Sequence, residues 1–155
     1  MVIRRARESD CPEILRLLSQ VLEIHAALRP DLFITGTTKY TEADLKEMFK
    51  DDKRPVYVAC AEDGRFLGYA FCEILEPVPS NNQVPVRSLY LDDLGVNEES
   101  RHLHVGRALF DHVRQEAERL GCHDLQLHVW EGNDARAFYE KMGMTVRKTL
   151  MELVL

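Results

Sequence analysis

A chain of 155 residues, 45% apolar and 30% charged, is long enough for one ordinary domain with a substantial core and too short for a second. Its net charge of -6 speaks against a general nucleic-acid surface, which needs clustered Lys and Arg, and no apolar run approaches the roughly 20 residues of a membrane span. The start Met1-Val2-Ile3-Arg4-Arg5 lacks a signal-type apolar core, and Cys11, Cys60, Cys72 and Cys122 stand too far apart for a metal or redox motif, so one cytoplasmic domain over residues 1–155 with reduced thiols is expected.

In chain order, Val2 to Arg5 reads as a short strand. Asp10 and Pro12 then sit where a helix cap and an early helical proline belong, ahead of Ile14, Leu17, Leu18, Val21, Leu22 and Leu28 at helical spacing, with a stop before Pro30. Residues 30–40 read as a loop, and Thr41-Glu42-Ala43-Asp44 as the box that opens a short helix to about Lys50. Pro55 to Glu62 and Phe66 to Leu75 form two strands about the turn Asp63-Gly64, and after a proline-rich loop Val86 to Val96 returns to strand. Val105, Ala108, Leu109, His112, Val113, Ala117 and Leu120 share one helical face, stopped at Gly121. Asp124 to Trp130 alternates as a strand, Ala135 to Met142 is a short helix closed by Gly143, and Met144 to Leu155 reads as a last strand. This order predicts an α/β fold with a mixed sheet covered by helices.

The stretch from Val96 to Ala108 joins a strand to a helix. Free amides at a helix start carry partial positive charge, and Arg101 and Arg107 add charge within an acidic chain, so the junction suits a phosphate. On these residues alone, an ordinary connection with solvated arginines is the competing reading.

The same stretch resembles the pyrophosphate loop of the GNAT (GCN5-related N-acetyltransferase) superfamily, which reads Arg/Gln-x-x-Gly-x-Gly/Ala at a helix start. Arg101 and Gly106 match its first and last fixed positions, and His104 replaces the middle glycine. Asn133, Ala135, Phe138, Tyr139 and Gly143 resemble the family's second signature, with the spacing from Asn133 to Phe138 one residue shorter than usual. The opening Ile3-Arg4-Arg5-Ala6 with Asp10, and the stretch His25 to Phe33, are similar to the family's first strand and acceptor-side loop, so the likeness covers nearly the whole chain.

The resemblance implies a mostly antiparallel sheet with flanking helices and a V-shaped splay between its two central strands. It implies acetyl-CoA bound by Arg101, His102, Leu103, His104, Val105, Gly106 and Arg107, with Asn133 on the pantetheine arm. It also implies a main-chain donor for the thioester oxygen at a break in the strand at Leu94, Gly95 and Val96, where the glycine makes a bulge easy. Tyr139 matches the tyrosine that protonates the departing thiolate, with an aromatic core role as the plain alternative.

An alkylammonium must lose a proton before it attacks a thioester, so a base or a water path is needed. Strand alternation predicts Asp92 and Asp93 on opposite faces, with only one toward the cleft. Asp92 is similar in position to the acidic residue that some polyamine acetyltransferases place near the acceptor amine, and both carboxylates could instead be structural. Glu73, and His25 acting through water, are the other candidate bases, and no metal is expected. The expected function is an N-acetyltransferase for a primary amine of a small molecule or peptide; the first rival is an acyl-CoA-binding module without catalysis, and the second is a dedicated protein or peptide acetyltransferase in place of a small-molecule enzyme. Apolar Leu150, Leu153 and Val154 in the last strand suggest a homodimer.

Overall fold

The fold is taken from a computed structural model that describes residues 1–155. Its elements in order are strand β1 (Val2–Arg5), helix α1 (Cys11–Leu28), helix α2 (Glu42–Met48), strands β2 (Val56–Cys60), β3 (Phe66–Leu75) and β4 (Ser88–Val96), helix α3 (Val105–Arg119), strand β5 (Asp124–Gln126) and helix α4 (Ala135–Lys141). The five strands form one sheet in the order β1-β2-β3-β4-β5, antiparallel throughout except for the parallel pair β4 and β5. That pair is separated by a whole helix, as a parallel crossover requires.

The predicted helix starts are present, with one change of partner. Thr41 and Asp44 close the expected box, the Thr41 amide donating to the Asp44 carboxylate at 2.8 Å and the Asp44 amide to Thr41 Oγ1 at 3.2 Å. Asp10 does not cap α1 directly. Its carboxylate accepts the Arg7 amide at 2.8 Å and the Arg4 guanidinium through two bonds of 2.7 and 2.9 Å, which ties β1 to the turn before α1. Burial alone would raise its pKa, but these donors hold it below the ordinary carboxylate range.

Two cores lie on opposite faces of the sheet. On one, Ile14, Leu17 and Leu18 of α1 and Leu45 and Met48 of α2 pack against Val56, Val58, Tyr69 and Phe71. On the other, Val105, Leu109, Phe110 and Val113 of α3 cover Tyr57, Ala59, Leu89 and Leu91. Each fully buried side chain of this size contributes about 1.5–3 kcal/mol, so the two helical layers hold the sheet without a covalent staple.

The ladder between β4 and β5 covers only Ser88–Tyr90 against Asp124–Gln126, while β4 runs on to Val96 beside β3. Beyond Tyr90 the outer edge of β4 therefore has no strand beside it, which is the splay. The predicted strand from Asp124 to Trp130 is correspondingly shorter. The predicted last strand from Met144 to Leu155 does not join the sheet, and residues 145–155 make no backbone hydrogen bond. An apolar stretch near a chain's end suggests a strand, but does not specify which edge it pairs with.

Candidate active site

Three bonds of Asn97 fix the turn at the end of β4. Its amide donates to the Leu67 carbonyl and its Nδ2 to the Phe66 carbonyl, each at 2.9 Å, while its Oδ1 accepts from Arg16 at 2.9 Å. A tight turn over Glu98–Leu103 follows, and α3 begins through His104 in the left-handed conformation with φ of 57°. This explains the glycine of the related motif: the backbone here needs a positive φ, which His104 adopts at a cost of roughly 1–2 kcal/mol. The first backbone bond of α3 runs from the Ala108 amide to the His104 carbonyl at 3.0 Å, leaving the amides of Val105, Gly106 and Arg107 without intramolecular partners. Arg101, His102, Leu103, His104 and Arg107 are all exposed around them. Gly106 has an ordinary negative φ, and a Cβ added there would meet Val96 at 3.6 Å, Phe138 at 3.7 Å and Leu94 at 3.9 Å. It faces the floor of the splay, so its smallness keeps that floor open.

The break in β4 lies earlier than expected. The register passes from Phe71 opposite Asp93 to Cys72 opposite Leu91, so Asp92 is the extra residue of a bulge, and Leu94, Gly95 and Val96 pair regularly with Ala70, Tyr69 and Gly68. Gly95 is needed for another reason: a Cβ there would come within 2.7 Å of the Tyr69 ring. The bulge also overturns the expectation of opposite faces. With one residue added to the strand, Asp92 and Asp93 both reach the side of α1 and α2. Asp92 accepts from Lys39 Nζ at 2.7 Å and from the Tyr40 hydroxyl at 2.9 Å, and Asp93 lies beside Tyr69.

Asp93 keeps a little solvent contact yet is ringed by protein on nearly all sides. Burial, reinforced by the adjacent Asp92, pushes its pKa up to about 6 against the opposing pull of Lys39, the Leu94 amide and the Tyr69 hydroxyl. The Tyr69 hydroxyl falls short of a full hydrogen bond but stands close enough to favour the carboxylate. Tyr139, half-buried against Phe110 and Phe138, has its pKa raised to about 12 by burial and by the negative charge of Asp93. It therefore stays protonated at neutral pH. The charge of Asp93 thus reaches Tyr139, although the phenol packs with the cluster on the α3 side of the sheet.

The other predicted residues divide. Asn133 spends its Oδ1 on the Ala135 amide at 2.9 Å and so opens α4, with its Nδ2 uncommitted. Glu73 shares with Asp92, Tyr40, Arg54 and Phe71 a recess of about 210 Å³ below the bulge. His25 packs at a tilt of 35° against the Phe33 ring, and burial, with the charge of Lys39, lowers its pKa. Sequence reasoning missed Lys39 and Tyr40, whose loop position carries no spacing signal, and expected only one of Asp92 and Asp93 toward the cleft because it assumed an unbroken strand; Asp92 was preferred on its position alone.

A splayed sheet with unpartnered helix-start amides at one end and two carboxylates at the bulge of β4 fits an acyl-transfer enzyme. The model of the acetyltransferase (GNAT) family matches residues 18–144, and the chain belongs to that family. It is 27% identical over 154 residues to the thialysine N-epsilon-acetyltransferase of Bos taurus, across 92% of this chain and 83% of that protein. A mutant of the BH1408 protein from Bacillus halodurans superposes with a TM-score of 0.95 at 28% identity, covering 100% of this chain and 99% of that one. Glucosamine-6-phosphate N-acetyltransferase from Arabidopsis thaliana shares the fold with a TM-score of 0.72 at 19% identity, over 99% of this chain and 97% of its own.

Proposed function

We propose that the protein is an acetyl-CoA-dependent N-acetyltransferase that moves acetyl onto the primary amine of a small molecule within a ternary complex. The observation that carries this reading is the bulge, which brings two carboxylates to one face, the charge of one of them reaching Tyr139, at the head of a splay leading to free amides at the start of α3. The amides of Val105, Gly106 and Arg107 would hold the diphosphate, with Arg101, His102, Leu103 and His104 around it. The open edge of β4 at Leu94, Gly95 and Val96, with Asn133 across the splay, would line the pantetheine arm.

In this reading Asp92 anchors the acceptor's ammonium and Asp93 accepts the proton that frees the lone pair. The amine then attacks the thioester carbon, the bond to sulfur breaks, and Tyr139 protonates the leaving thiolate. The acidic pair favours a cationic acceptor, and the bovine relative acts, by its name, on a lysine-like amino acid. A lysine-like ω-amine is accordingly the proposed class, ahead of peptides.

No helix is long and apolar enough to cross a membrane. Four unpaired cysteines suit the reducing cytoplasm, where the reaction is placed. The working form is proposed to be a homodimer.

Thiol release from acetyl-CoA, measured across lysine-like amino acids, polyamines and lysine peptides, tests the reading. Saturable turnover with an ω-amine is expected. Saturable acetyl-CoA binding with no turnover on any amine would instead mark an acyl-CoA-binding module.

A further inference from the structure

Asp92, the carboxylate proposed to receive the acceptor, already holds an alkylammonium from the same chain. Lys39 Nζ lies 2.7 Å from Asp92 Oδ2, and the Tyr40 hydroxyl reaches the same oxygen at 2.9 Å. The two residues follow each other in the loop after α1, and the Tyr40 ring stacks on Phe71 at 5.4 Å, which fixes the loop's end against the sheet beside the bulge. Lys39 is not buried in this pose, with 42% of its side chain exposed, so the pair opens and closes without unfolding anything. The loop thus presents a primary amine on a four-carbon stem to the residue that would orient a free amine.

We infer that Lys39 is an internal acceptor and that the enzyme acetylates it in its own active site. The inference rests on the acetyl-CoA-dependent reading above. The Lys39 ammonium gives a proton to Asp93 and its nitrogen attacks the thioester carbon. The new C–N bond replaces the C–S bond, CoA leaves as the thiol with a proton from Tyr139, and the second proton shed by the acylated nitrogen returns to the Tyr139 phenolate. Because amine and carboxylate belong to one chain, the high effective concentration of a tethered reactant makes the rate independent of protein concentration. The product is a neutral amide that cannot pair with Asp92. Self-modification therefore removes the competing cation and leaves the carboxylate to a free amine, raising the enzyme's affinity for its acceptor.

The experiment incubates the full-length protein with acetyl-CoA and no added amine, and follows each lysine by peptide mass spectrometry. Lys39 is expected to gain one acetyl group at least about tenfold faster than Lys46, Lys50, Lys53, Lys141 and Lys148, at a first-order rate unchanged by dilution. Protein unfolded in urea should lose that preference. Lys39→Gln, which mimics the neutral product, should lower KM for a cationic acceptor by about two- to fivefold, the range for a partly exposed ion pair, whereas Lys39→Arg should not lower it. Lys39 labelled no faster than the other lysines, in protein that turns over a free amine, overturns this inference and leaves the proposed function standing. Absence of both labelling and turnover overturns the two together.

Discussion

At the scale of single residues, Asp93 separates two consequences of one pKa. Its carboxyl titrates near 6 in the folded protein, above its ordinary value, so the charged form is the costly one. Activity that needs the base should rise with pH through about 6 and then level. Stability should run the other way: folding is relatively favoured below the ordinary carboxyl pKa, and the advantage is lost as pH rises through 6. A shift of roughly two units is worth on the order of 3 kcal/mol above pH 7. Asp93→Asn should therefore lower kcat/KM by about 10²–10⁴ while raising the melting temperature at pH 8 more than at pH 5, as thermal unfolding at the two pH values would show. A variant that loses activity and melts lower at pH 8 would assign Asp93 a structural role only. Tyr139→Phe keeps the ring packed on Phe110 and Phe138 and removes only the proton donor, so kcat should fall by about 10² with the acetyl-CoA Kd within about twofold of the parent. A change confined to Kd would rule out the acid role.

At the scale of elements, the junction between β4 and α3 depends on backbone shape at His104 and on space at Gly106. His104→Gly relieves the left-handed strain of about 1–2 kcal/mol but frees the unfolded chain by about 0.4–1 kcal/mol, so a net gain of roughly 0.5 kcal/mol is expected in urea unfolding. His104→Val should instead cost more than about 1 kcal/mol, because a β-branched residue tolerates that conformation least. Gly106→Ala fills ordinary contact space and should leave acetyl-CoA binding nearly intact. Gly106→Trp must project into the floor between Leu94, Val96 and Phe138 and should weaken it more than about tenfold by calorimetry. Most of this element was legible in sequence, since Arg101, Gly106 and the helical period from Val105 fix where strand gives way to helix. The bulge was not. It arises because β3 and β4 differ by one residue between fixed pairings, a mismatch visible only when both strands are aligned, and it moved the break from Gly95 to Asp92 and turned Asp93 toward the site.

For the whole molecule, the order of elements and the helical cover of a mixed sheet follow from the apolar periods of the strands and helices, whereas the order of strands in the sheet and the partner of residues 145–155 do not. That segment ends in a run of apolar residues but leaves its backbone groups unpaired, with Leu150 93%, Met151 84% and Leu153 83% exposed. Two ion pairs hold it near its own domain, Arg147 to Asp124 at 3.1 Å and Arg29 to Glu152. Exposed pairs of this kind contribute about 0–1 kcal/mol each and do not offset a row of apolar side chains in water. A segment with open hydrogen-bonding groups and exposed apolar side chains is complementary to a second copy of itself or of the edge of β5, and a two-fold dimer satisfies both copies at once. The protein should therefore sediment as a dimer at micromolar concentration, and Leu150→Lys with Leu153→Lys should shift it to monomer with its helices intact by circular dichroism. Because Glu152 reaches Arg29, which lies over the Trp130 ring at 5.7 Å near Phe33, the monomeric variant should also show a higher KM for the acceptor with little change for acetyl-CoA. Wild-type protein that sediments as a monomer at every concentration would instead make the segment an unpartnered tail.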